Sequence, residues 1–158
     1  MSDFFKYQEG PARAGADVPA PASEPSHAIL AELGGEDWDH LIRFAARRRF
    51  AAGAVLVRAG ESDRALHFVA SGQLELQSPG APAAVRGEGE IFGALSFLDG
   101  APSAVTASVG ATASAELLRL TPDALQQLSA WQPRIALALM RDLGALVATR
   151  LRRLQPGD

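Results

Sequence analysis

The chain has 158 residues, 47% hydrophobic and 21% charged, with 15 basic and 18 acidic side chains giving a formal charge of −3. That length suits one domain with a core plus tails, in an ordinary soluble composition, and the negative balance argues against attraction to nucleic acid through overall charge. The absence of cysteine excludes a disulfide framework and a thiolate metal site. The N-terminus has no signal-peptide pattern and no apolar run reaches the ~20 residues that span a bilayer, so a cytoplasmic protein without a membrane segment is expected.

Residues 1–26 are rich in Pro, Ala, Gly and Ser, with Pro11, Pro19, Pro21 and Pro25 interrupting any helix, and read as a disordered tail. Its extreme end carries Phe4, Phe5 and Tyr7, aromatic anchors that fit a docking peptide for a protein partner. Ser26 is placed to cap a short helix through Leu33, stopped by Gly34-Gly35. Trp38, Leu41, Ile42 and Ala45 then fall at i, i+3, i+4 and i+7, predicting a helix from about Glu36 to Ala46. Arg47 to Arg49 are expected at that helix's negative end.

From Arg49 to Leu120 the texture changes to short β-type runs divided by glycine, which predicts an all-β unit. The strand candidates are Val55-Leu56-Val57, Leu66 to Val69, Gln73 to Gln77, Ala84-Val85-Arg86, Ala104 to Val109 and Glu116 to Leu120. Between them, GEGEIFGALSFLDGAPSAVTASV spans Gly87 to Val109. Ile91-Phe92-Gly93 reads as a buried strand end, Ala94 to Leu98 as one helical turn, and Asp99-Gly100 as a reversal. A strand running into a short helix leaves backbone N–H groups unpaired at the helix start, a shape suited to an anion.

Thr121-Pro122-Asp123 combines an N-cap, a proline at the first helical position and an acid in the first turn, opening a helix marked by Leu125, Leu128 and Trp131. Pro133 begins a longer helix to about Leu154. Ala136, Met140, Leu143, Val147 and Leu154 are spaced along it by threes and fours, with the polar Arg150 at one such position. Ile135, Leu139, Leu146 and Leu151 widen its apolar surface beyond what one domain needs.

The run FGALSFLDGAPSAVTA resembles the phosphate-binding cassette of the cyclic-nucleotide-binding domain, shared by catabolite-activator-type regulators, kinase regulatory subunits and gated channels. The match rests on Phe92, Gly93, Leu95, Ser96, Gly100, Pro102, Ala104 and Thr106, and RRFAAGAVLVRAGE and LHFVASGQLEL follow in the family's order. The resemblance implies a mainly β jelly roll with N-terminal helices over 27–132, and a C-terminal dimerisation helix over 133–158. It also implies a ligand site formed by Phe92, Gly93, Ala94, Leu95, Ser96, Pro102, Ser103 and Ala104. The helix would be the seam of a homodimer through Ala136, Leu139, Met140, Leu143, Leu146, Val147 and Leu154. Family regulators continue into a helix-turn-helix; this sequence ends at Gln155-Pro156-Gly157-Asp158, so DNA binding is not expected.

Two positions depart from the family's pattern. Its ribose-binding glutamate falls on Ala94 and its phosphate-pairing arginine on Ser103. Hydrogen bonds to charged groups contribute about 1.5–3 kcal/mol each, so losing both weakens binding by roughly two to four orders of magnitude. Tight binding of cyclic AMP or cyclic GMP is not expected. Arg86 is a candidate to hold an anion in place of Ser103 and Glu75 or Glu90 a candidate for a sugar hydroxyl, with solvated surface charge as the alternative account of all three. His27, His40 and His67 have no metal-ligand spacing and no serine sits in a nucleophile elbow, so neither an enzyme, a metal nor a cofactor is expected. These residues predict a non-enzymatic, dimeric domain acting as an interaction or scaffolding module. The alternative is a sensor of altered specificity, for a cyclic dinucleotide or another anion, that regulates a separately encoded partner.

Overall fold

The computed structural model describes residue 30 and residues 33–154; the expected disordered tail, with Phe4, Phe5 and Tyr7, lies outside them. Of the expected helix from Ser26 only the end is described. There Leu30 has a left-handed φ of 62° and is not helical; its N–H donates to the Asp142 carboxylate 112 positions away.

The amphipathic spacing around Trp38 forms α1, Gly35–Phe44, with Trp38 and Leu41 buried. It ends two residues earlier than the sequence predicts. Ala46–Phe50 is instead β1, so Arg47 to Arg49 lie on a strand and not at a helix terminus. The reason is pairing: Ala46–Phe50 runs antiparallel to β8, Ala115–Leu120. Glu116, opposite Arg49, draws Arg47 Nε to 3.5 Å and Arg49 Nη2 to 3.6 Å.

The glycine-divided runs become β2 (Val55–Val57), β3 (Leu66–Ser71), β4 (Leu74–Gln77), β5 (Ala84–Arg86), β6 (Ile91–Phe92) and β7 (Thr106–Val109). They close into two antiparallel four-stranded sheets, β1-β8-β3-β6 and β2-β7-β4-β5. β7 starts at Thr106, two residues after its predicted start, because Ser103 binds the backbone of Val105. Together with the flanking helices, this is the mainly β jelly roll predicted from the sequence.

The near-continuous apolar run of β8 follows from burial on both faces. Ala115 and Leu117 point between the sheets with Val69, Leu74 and Val109. Leu118 and Leu120 point outward under the helices with Phe68, Trp38 and Leu128. The helical layer comprises α1, α2 (Ala94–Asp99), α3 (Pro122–Trp131) and α4 (Pro133–Leu154). Thr121 caps α3 as the sequence predicts, its hydroxyl accepting from the Ala124 N–H at 3.1 Å. No helix among the described residues is long and apolar enough to cross a membrane.

Candidate functional site

β6 delivers Phe92 to Gly93, which takes a φ of 91° and starts α2. A Cβ at position 93 would lie 2.6 Å from the Ala65 carbonyl oxygen, so backbone approach and handedness both require glycine. Gly100, with a φ of 76°, closes the far end, its N–H donating to the Ser96 carbonyl at 2.8 Å.

The segment before β3 braces this unit from one side. Gly60 N–H donates to Ser103 O at 2.8 Å and Ser103 N–H to Glu61 O at 2.9 Å. Arg64 donates from Nε to Phe97 O and from Nη2 to Leu98 O, both at 3.2 Å, a positive charge where the α2 dipole is negative.

Between α2, the following loop and β5 lies a cavity of about 340 Å³. All eight expected ligand residues line it: Phe92, Gly93, Ala94, Leu95, Ser96, Pro102, Ser103 and Ala104. The chemistry at two of them is weaker still than the sequence suggests. Ala94 is buried and offers a methyl group. Ser103 Oγ donates to Val105 O at 2.6 Å and accepts from Val105 N–H at 3.3 Å, so its hydroxyl serves the local turn.

Positive charge enters this cavity elsewhere. Arg86, at the end of β5, lines it as the sequence anticipates, and so does Arg150 from α4, which the sequence reading did not assign there. The signal for Arg150 was the polar break in the apolar spacing of α4. The two expected acceptors do not join them. Glu75 is on the exposed face of β4, and Glu90 Oε1 accepts from Gly87 N–H at 2.8 Å, closing the turn into β6. The lining carboxylate is Asp99, whose Oδ1 accepts from Ala101 N–H at 2.8 Å.

Behind the cassette sits a polar cluster. His67 Nε2 lies 2.9 Å from Asp63 Oδ2, and Arg119 Nη2 donates to Asp63 Oδ1 at 2.8 Å. The hydrogen bond from His67, with the Arg119 pair adding to it against partial burial, lowers the Asp63 pKa from 3.8 to about 2. The His67 ring is buried and lies 5.8 Å from the Phe92 ring, which makes it a structural histidine. His40 is half-buried and His27 lies outside the described residues. Among the described residues, no group of three or more His, Cys, Asp or Glu could hold a metal.

The expected dimer seam divides in two. Ala136, Leu139, Leu143 and Leu146 are buried inside this chain, where Leu139, Leu143 and Leu146 join the core with Trp38 and Phe68. Packed under the helices of their own chain, these four side chains present little surface. Met140 and Leu154 are exposed and Val147 is half-buried. Leu137 and Leu151, outside the expected list, are exposed beside them at 58% and 52%.

A double-sheet roll with a glycine-hinged helical cassette over a cavity, backed by a long helix, defines a pocket-bearing jelly-roll domain. Residues 47–130 match the model of the cyclic nucleotide-binding domain, and the chain belongs to that family. Among solved structures it is similar to the catabolite activator protein of Thermus thermophilus, at 28% identity and a TM-score of 0.69 over 81% of this chain and 60% of that one. It is similar also to the N-terminal domain of a transcriptional regulator from Streptomyces coelicolor A3(2), at 26% identity and a TM-score of 0.68 over 84% of this chain and 94% of that one. Among curated proteins it is 30% identical over 125 residues to Glutaminase 2 of Bradyrhizobium diazoefficiens, covering 78% of this chain but 20% of the glutaminase.

Proposed function

We propose that this domain is a non-enzymatic, dimeric regulatory module whose cavity reads a small anion other than cyclic AMP or cyclic GMP. The observation that carries the reading is the exchange of charge within one cavity. The cassette positions Ala94 and Ser103 offer a methyl group and an occupied hydroxyl, while Arg86, whose Nη1 also donates to Val85 O at 3.3 Å, and Arg150 bring positive charge from β5 and α4. Because α4 contributes one of them, a bound anion would change how that helix packs on the roll, and the helix is the natural output to an effector. The regulatory proteins among the relatives are consistent with this role, whereas the glutaminase shares only a fifth of its length with the chain.

An interaction or scaffolding module remains the second reading, favoured by the exposed apolar side chains Leu137, Met140, Leu151 and Leu154 on α4. Thermal unfolding of the full chain with cyclic AMP or cyclic GMP tests the leading one. A ligand at a hundred times its dissociation constant adds about 2.7 kcal/mol and moves the midpoint by several degrees. The expected result is no shift for the natural chain and a shift for Ala94→Glu combined with Ser103→Arg. A clear shift of the natural chain with either cyclic mononucleotide overturns the reading.

A further inference from the structure

We infer that the ligand of this cavity is a small amphipathic monocarboxylate, an aromatic or medium-chain aliphatic body carrying one carboxylate; the inference rests on reading the cavity as a ligand site. Three observations converge on that class.

The first is the lining. Leu76, Ile91, Phe92, Leu95, Pro102 and Val105 present hydrocarbon. Beside the two arginines the polar lining side chains are Ser96, Asp99 and Ser103, and the engagements of the last two count against a sugar. Ser103 is bound to Val105 and Asp99 to Ala101 N–H. A ribose hydroxyl turned toward the Ala94 methyl would lose its water without gaining an acceptor. A flat or extended apolar body loses nothing there and gains by leaving water.

The second is charge. Arg86 and Arg150 against Asp99 leave the charged lining side chains at a net +1. That balance neutralises a monoanion and falls short of a phosphomonoester dianion or the two phosphates of a cyclic dinucleotide. A guanidinium presents paired N–H donors that match a carboxylate in a bidentate bond. The third is size. A cavity of about 340 Å³ is room for one small ligand, at the lower end of the ~300–1,000 Å³ range of small-molecule sites.

Isothermal titration calorimetry and thermal unfolding of the full chain test this with phenylacetate and octanoate. Phenylethanol and octanol serve as uncharged counterparts, alongside octyl phosphate and cyclic di-GMP. The expected result is saturable binding of one or both carboxylates, at least tenfold tighter than the matching alcohol. Arg150→Gln and Arg86→Gln should each reduce that preference at least threefold, while Arg152→Gln, on the same helix but outside the cavity lining, should leave it unchanged. Binding of octyl phosphate or cyclic di-GMP with neither carboxylate bound overturns the monocarboxylate and leaves the anion-sensor reading standing. Equal binding of acid and alcohol overturns the role of the two arginines. Binding of none of the probes overturns the inference and counts against the sensor reading as well.

Discussion

A single carboxylate, Asp63, ties the back of the cassette to the sheet behind it. It holds His67 and Arg119, which stand opposite each other on β3 and β8, and His67 in turn packs against Phe92, the residue that leads into Gly93. Its pKa is lowered from 3.8 to about 2 in the folded chain, chiefly by the His67 hydrogen bond. A depressed carboxylate stabilises the fold fully above its unfolded value and loses that contribution as pH falls through its folded value. In urea titrations, the gap in stability between the natural chain and Asp63→Asn should therefore shrink as pH falls from about 4 to about 2. At neutral pH Asp63→Ala should cost about 1–3 kcal/mol, because a buried imidazole donor and a guanidinium lose their acceptor. A gap that does not change with pH would show that the carboxylate charge plays no part. None of this was legible in the sequence, where Asp63 and Arg119 are 56 positions apart and meet only through the β3 and β8 register. The cassette residues were legible through the family resemblance, which Gly93, Gly100 and Pro102 carry as local turn signals, whereas Arg150 joins the lining only through the packing of α4.

At the scale of elements, α4 shows what helical spacing can and cannot say. Its periodicity located the helix and showed that its apolar surface is too broad for one contact. It could not say which face the chain itself covers. That depends on where α1 and α3 sit: α3 packs beside α4 and α1 beside α3, and Leu139 and Leu143 share one core with Trp38 and Leu128. Leu139 is fully buried whereas Leu137, two positions away, is 58% exposed. Leu139→Ala should cost about 2–5 kcal/mol of folding stability, and Leu137→Ala should change it by less than about 0.5 kcal/mol. Chemical denaturation of both variants checks the assignment; equal losses would mean that the inner face is not the one described. The arginine run 47–49 shows the complementary limit. Helix-end electrostatics accounted for it locally, yet Glu116 and the open side of β8 made it an edge strand, and long-range pairing of that kind leaves no local mark.

For the molecule as a whole, the outer face of α4 raises the question of what covers it. Leu137, Met140, Gly144, Val147, Leu151 and Leu154 follow one another by three, four, three, four and three residues, the heptad spacing of a two-helix seam. Four of these side chains, Leu137, Met140, Leu151 and Leu154, are exposed. Arg150, which lines the cavity, directly precedes Leu151. A dimer through this face would therefore place the ligand site and the seam on adjacent residues of one rigid helix. If the dimer forms and an anion at Arg150 fixes α4 against the roll, binding and dimerisation are linked, and linkage is reciprocal. Sedimentation equilibrium should give a dimer for the natural chain and a monomer for Met140→Lys combined with Leu151→Lys, with unchanged circular dichroism because both side chains are outside the core. The factor by which a saturating carboxylate changes the dimer dissociation constant must then equal the ratio of its affinities for dimer and monomer. A dimer that persists in the double variant moves the seam to another surface. A dimer broken as expected, but with ligand affinity the same in both states, would leave the seam in place and remove α4 as the route by which the cavity reports.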